Sequence, residues 1–112
     1  MTCEIAIVGI GETPPVRRSG RTLRAMVVDA VMAALADAGI SPKEVDGLVT
    51  DAVIMPTQVP FDYLAGQLGA SNCFAASASL GGAGIACAPM LAQHAIASGL
   101  AKVVVGYFGV DW

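Results

Sequence analysis

The stretch that decides the fold is NCFAASASLGGAGIACAPMLAQHAIASGLAKVVVGYF, residues 72–108. Its residue types change in the order strand, glycine-rich turn, helix, strand. Residues 72–76, NCFAA, predict a short strand, although alanine is a poor strand former. The run from Gly81 to Ser98 is apolar nearly all round, which predicts a buried helix. Lys102 to Phe108, with three consecutive valines, predicts another strand. Gly81, Gly82, Ala83 and Gly84 lie between the first strand and the helix. Glycine there costs about 1 kcal/mol per residue of helix stability relative to alanine. That cost is tolerated where backbone turns sharply or approaches another group closely. Two readings fit: an elbow whose backbone N–H groups face a developing oxyanion, or close packing of the helix against its neighbour. Pro89 either kinks this helix or marks its true start.

From Tyr63 to Ala101 no residue carries a formal charge. Hydropathy alone would suggest a membrane span. Gly66, Gly69, Asn72, Gly81, Gly82, Gly84 and Pro89 interrupt it, and its small residues suit close packing between protein elements, so no span is expected.

Moving toward the N-terminus, Leu48 to Ile54 predicts a strand, Pro56 and Pro60 bracket a loop, and Tyr63 to Leu68 predicts a short helix stopped by Gly69. Ser41-Pro42-Lys43-Glu44 is a capping-box pattern, but Asp46-Gly47 is a turn signal and leaves room for one turn. The firmest element is a helix after Thr22. Leu23, Met26, Val27, Ala30, Val31, Ala34, Leu35 and Ala38 recur at the spacing of one helical face, and Gly39 supplies the left-handed stop. EIAIVGI, residues 4–10, predicts a buried strand, because its apolar residues are nearly continuous. Gly9-Ile10-Gly11 after it lacks the third glycine of a dinucleotide fingerprint, and Pro14 with a helix ten residues on argues for a simple strand-end turn. Alternation of strands and helices makes the chain α/β, with a parallel or mixed sheet.

Composition sets the boundaries of function. The chain of 112 residues is 55% hydrophobic and 13% charged, against roughly 25% charged in an ordinary domain. The surplus apolar surface calls for a further domain or subunit to cover it. A net charge of −3 gives no footprint for nucleic acid, and Arg17, Arg18, Arg21 and Arg24 read as a solvated loop and helix start. Cys3, Cys73 and Cys87, an odd count at wide spacing, fit a reducing compartment, and the N-terminus has no secretory pattern. A cytoplasmic protein is expected.

The segments IAIVGIGETPP, ALADAGISPKEVDGLV, the GGAG turn and AIASGLAKVVVGY, in this order and spacing, resemble the N-terminal part of the thiolase superfamily. Within it they are most similar to the sterol-carrier or lipid-transfer thiolase-like branch, related to acetyl-CoA acetyltransferases. The resemblance implies a thiolase-like βαβαβ layered fold, a mixed sheet with helices on both faces, in which residues 1–112 are an incomplete N-terminal domain. It implies a homodimer or a thiolase-like partner subunit, with Asn72, Cys73, Phe74, Ala75 and Ala76 at the dimer interface. It also implies a coenzyme A thioester as substrate, with no tightly bound cofactor and no metal.

The departures are as telling as the match. The family's nucleophilic cysteine position falls near Gly82, so the elbow of Gly81, Gly82, Ala83 and Gly84 carries none. The general base, the oxyanion hole and most acyl-CoA contacts of the family would lie beyond Trp112. Cys87 is the substitute nucleophile to consider, but on a buried helix it reads as a small hydrophobe, and His94 reads as a hydrogen-bonded core residue two turns further on. The expected activity is carbon–carbon bond formation or cleavage next to an acyl-CoA thioester: Claisen-type acyl transfer, or retro-aldol cleavage of a CoA-linked side chain. The alternative is a non-catalytic subunit that binds acyl-CoA or lipid.

Overall fold

The structure is a computed structural model, and it describes residues 4–16, 20–51, 59–70, 73–78 and 83–109. Helix α1 spans Leu23–Ala38. Thr22 caps it, its hydroxyl oxygen accepting from Ala25 N at 3.1 Å. Gly39 closes it with φ of 71°, a left-handed turn that glycine adopts without a Cβ penalty. Leu23, Val27, Val31 and Leu35, four residues apart, form its buried stripe. A single 3-10 turn at Pro42–Glu44 follows, where the Glu44 carboxylate accepts from Ser41 N at 2.9 Å. The capping-box pattern therefore ends as one turn, as expected.

Three strands form a parallel sheet: β1 Gly47–Asp51, β2 Phe74–Ala78 and β3 Val104–Tyr107, in the order β2-β1-β3. All five residues of β1 are buried, which is why its sequence is continuous rather than alternating. The sheet is thus parallel among the described residues, not mixed. Helix α2, Phe61–Leu68, starts two residues earlier than its sequence pattern indicates. Strand β2 lies two residues later than the NCFAA reading, and Asn72 is outside the described residues.

Successive strand residues face opposite sides of a sheet. Leu48 packs into one core with the α1 stripe, with Leu64 and Leu68 of α2, and with Tyr107. On the opposite face, Gly106 lies so near helix α3, Ala88–Ala97, that a Cβ on it would stand 3.0 Å from that of Ala88. Helices therefore cover both faces. Tyr107 ties the first face together. Its hydroxyl donates to Val59 O at 2.8 Å, its carbonyl accepts from Thr50 Oγ1 at 2.7 Å, and its ring meets Phe61 edge-on at 6.2 Å.

Two expectations are corrected. Residues 4–10 do not join the sheet. Gly9 and Gly11 lie directly on the α1 backbone at Ala34 and Ala30, and Ile10 N donates to Asp37 Oδ2 at 3.0 Å. Contact with the helix replaces strand pairing, and the close approach gives these glycines their reason. Ile7 and Ile10 stay 75% and 78% exposed. An apolar groove of about 680 Å³ separates this segment from β3, with Ile5, Val31, Ile96 and Val105 among its walls. Second, residues 81–98 are not one buried helix. A 3-10 turn covers Ala83–Cys87, Pro89 stands in the first turn of α3 and so marks its start, and only Ala95 of that helix is buried. The uncovered groove and the exposed faces of α3 are where the surplus apolar residues of the composition reside.

Candidate functional site

In parallel α/β sheets, ligands gather at the carboxyl ends of the strands. Here that end is formed by Asp51, Ala78 and Tyr107, the last residues of β1, β2 and β3, with the turn of residues 83–87 beside the first two. Gly81 and Gly82 lie outside the described residues, as does the placement of Gly82 at the elbow. Ala83 opens the 3-10 turn, and Gly84 is buried within it.

Gly84 shows why the turn needs glycine. Its N–H donates to Asp51 Oδ2 at 3.0 Å. A Cβ on Gly84 would lie 2.9 Å from Ala78 O, 2.9 Å from Asp51 Cγ and 3.0 Å from Asp51 Oδ1. Real Cβ atoms do not approach backbone and carboxylate so closely, so a side chain at this position is excluded by the ends of β1 and β2. The Gly84 N–H is thus bonded to a carboxyl oxygen.

Asp51 is the residue the sequence reading passed over. It sits in the run GLVTDAVI and is fully buried, with 0% exposure. An acidic residue at an inward position of an apolar strand was the available signal. Burying a carboxylate is costly unless it is hydrogen-bonded, and Gly84 N supplies one such bond.

The cysteines divide. Cys87 is half-buried and occupies the cap position of α3, three residues beyond Gly84. His94 is exposed rather than a core residue, its carbonyl accepting from Ser98 N at 3.0 Å and Ser98 Oγ at 2.7 Å. Seven residues at a rise of about 1.5 Å put it roughly 10 Å along the axis from Cys87. The structure does not bring these two together as a dyad. Cys73 Sγ donates to Val45 O at 3.6 Å beside the start of β2. Burial, and then the Asp46 carboxylate, push its thiol above the ordinary value. Cys73, Phe74, Ala75 and Ala76 lie at an outer strand of the sheet among the described residues. No cluster of three or more His, Cys, Asp or Glu side chains suited to a metal occurs among the described residues, and none of the described helices is long and apolar enough to cross a membrane.

The chain is similar in sequence and fold to known proteins. No family model matches the chain. It is 43% identical over 107 residues to a 17-hydroxy-3-oxo-4-pregnene-20-carboxyl-CoA lyase of Mycobacterium tuberculosis, covering 93% of this chain and 26% of the relative. It is 39% identical over 103 residues to a steroid side-chain-cleaving aldolase of Thermomonospora curvata, covering 91% of this chain and 26% of the relative. Among solved structures, it superposes on an Ltp2-ChsH2(DUF35) aldolase with a TM-score of 0.72 and 36% identity, covering 90% of this chain and 26% of that one. A 3-oxoacyl-[acyl-carrier-protein] synthase III from Aquifex aeolicus matches with a TM-score of 0.62 and 31% identity, covering 77% of this chain and 29% of that one. The chain thus spans about a quarter of the length of the curated relatives it matches.

Proposed function

We propose that this chain, which belongs to the thiolase superfamily, is part of an enzyme that cleaves a carbon–carbon bond in the CoA-linked side chain of a hydroxylated, steroid-like acyl thioester. The observation that carries this reading is the turn itself: Gly84 is locked to the buried Asp51, and Cys87 stands off at the start of α3. Covalent acyl transfer requires a nucleophile at the turn with a base within hydrogen-bond reach. Retro-aldol cleavage does not. A base takes the hydroxyl proton, the oxygen electron pair forms the ketone, and the bond to the carbon next to the thioester breaks. Its electron pair becomes a thioester enolate, which a proton then quenches. The products are a ketone and a shortened acyl-CoA.

The relatives support the choice of substrate, since one is a lyase of a 17-hydroxy carboxyl-CoA and another cleaves steroid side chains. Base and enolate donors are assigned to parts of the protein outside these residues. The outer edge of β2, with Cys73 to Ala76 at its start, is the proposed contact with a second copy or a thiolase-like partner subunit.

The test is to incubate the full-length protein with a 17-hydroxy steroid carboxyl-CoA and follow products by mass spectrometry. Ketone and shortened acyl-CoA in equal amounts, with no acyl adduct on Cys73 or Cys87, support the reading. An acyl adduct on either cysteine, or transfer of the acyl group to a second CoA ester, would overturn it. Binding of the thioester without turnover would favour the non-catalytic alternative.

A further inference from the structure

We propose that Asp51 is a positioning residue for the glycine turn, fixing through the Gly84 amide the path of the backbone from the carboxyl end of the sheet into α3. The functional side of this inference rests on the retro-aldol reading above. The geometry beneath it does not.

Asp51 and Gly84 are mutually fitted. The carboxylate bonds Gly84 N at 3.0 Å, and its Cγ stands where a Cβ of residue 84 would be, 2.9 Å away. Ala78 O closes the other side of Gly84 at 2.9 Å from that same position. The turn is thus held between the last residues of two neighbouring strands, which are paired in register, Asp51 with Ala78. Asp51 is itself rigidly placed, because the preceding Thr50 is bonded to Tyr107 O at 2.7 Å.

Val49, two residues earlier on the same face of β1, is fully buried and apolar. A buried carboxyl group is costly unless it is hydrogen-bonded, and here the Gly84 N–H supplies such a bond. A buried carboxyl group at the carboxyl end of a parallel sheet, bonded to the glycine turn, is placed to set the path of that turn. Misplacing such a turn by about 1 Å is enough to cost about a hundredfold in rate.

Three variants of the full-length protein test this: Asp51→Asn, Asp51→Val and Gly84→Ala. Each is measured for thermal midpoint, for hydrogen exchange in the peptide covering residues 83–87, and for kcat and KM with the 17-hydroxy steroid carboxyl-CoA. Asp51→Asn retains an acceptor oxygen, and its kcat is expected within about fivefold of the parent. Asp51→Val, which leaves the buried Gly84 N–H without this acceptor, is expected to fold with a lowered thermal midpoint, to exchange about tenfold faster at 83–87, and to lose about a hundredfold in kcat with KM within about threefold. If Asp51→Val does not fold, Gly84→Ala against Asp51→Asn decides, the first losing kcat and the second keeping it. Unchanged exchange at 83–87 in Asp51→Val, or kcat retained in Asp51→Val or Gly84→Ala, would overturn the proposal. Absence of cleavage by the parent itself would overturn the retro-aldol reading instead. In that case the exchange measurement alone judges the clamp, faster exchange upholding it and unchanged exchange refuting it.

Discussion

Asp46 is predicted to hold the sheet together, and Asp46→Ala should cost about 2–3 kcal/mol. Its carboxylate accepts from Lys102 N at 2.9 and 3.0 Å and from Val103 N at 2.8 Å. Its backbone N–H donates to Val103 O at 3.1 Å, and its carbonyl accepts from Phe74 N at 2.8 Å. One residue thus ties the entries of all three strands. Lys102 is exposed, so water replaces the lost acceptor there at about 0.5 kcal/mol. Val103 is half-buried, and leaving its N–H unsatisfied costs about 1–3 kcal/mol. Asp46→Asn keeps one acceptor oxygen and should cost about 1 kcal/mol. The assay is denaturant unfolding of the full-length protein, with hydrogen exchange at residues 102–103. A cost under about 0.5 kcal/mol for alanine, or equal costs for the two variants, would refute the reasoning. Cys73 provides an independent readout. Burial is the larger cause of its raised thiol value and Asp46 the smaller. Asp46→Asn should therefore speed alkylation of Cys73 at pH 8 only about two- to threefold. Because the folded value is raised, the stability this thiol contributes is fully present below the ordinary 9.0 and falls as pH rises beyond it.

Cys87→Ala in the full-length protein should leave kcat within about threefold, because its thiol stands at the head of α3 and among the described residues no base is hydrogen-bonded to it. A loss beyond about a hundredfold with the fold intact would reverse that reading. Tyr107→Phe should cost about 1 kcal/mol through the lost bond to Val59 O. Burial, then the Asp62 carboxylate, push the Tyr107 phenol up to about 12, so its contribution is complete below pH 10.0 and is lost as pH rises through about 12. Alkaline titration of the parent should show a transition in that window that Tyr107→Phe lacks. Residues 1–112 expressed alone should self-associate through the uncovered groove and α3. A clean monomer with a cooperative melt on size exclusion and heating would count against this.

Local signals were legible wherever they were complete within one segment. The α1 stripe, Thr22 and Gly39 specify a helix with both ends, and β1 and β3 follow from short apolar runs bounded by turn residues. Residues 4–10 have the same apolar run, but a strand exists only with a neighbour, and no pattern within seven residues names that neighbour. The seat of Gly9 and Gly11 on α1 belongs to tertiary packing. Alanine, glycine and isoleucine continue the apolar character through the 3-10 turn, so the apolar pattern runs longer than the helix after it. Pro89 held the correct boundary as one of two open readings. His94 was read as buried on the assumption that the whole helix is covered, and its exposure is a matter of what packs on α3. Asp51 escaped notice because a lone acidic residue in a strand gives no sign of its partner 33 residues away.

That partner bears on which chemistry the turn supports. In covalent acyl transfer, the oxyanion forms on the carbon bonded to the enzyme nucleophile, so its place is pinned next to the turn. With Gly84 N bonded to Asp51 Oδ2, that amide is not open to serve as a donor there. In retro-aldol cleavage nothing ties the substrate covalently to the turn. The enolate oxygen can then be placed at donors elsewhere in the pocket, while the turn and its carboxylate serve only to shape the carboxyl end of the sheet. The lock between Asp51 and Gly84 therefore withholds one donor from the first reaction and, for the second, holds the turn in place.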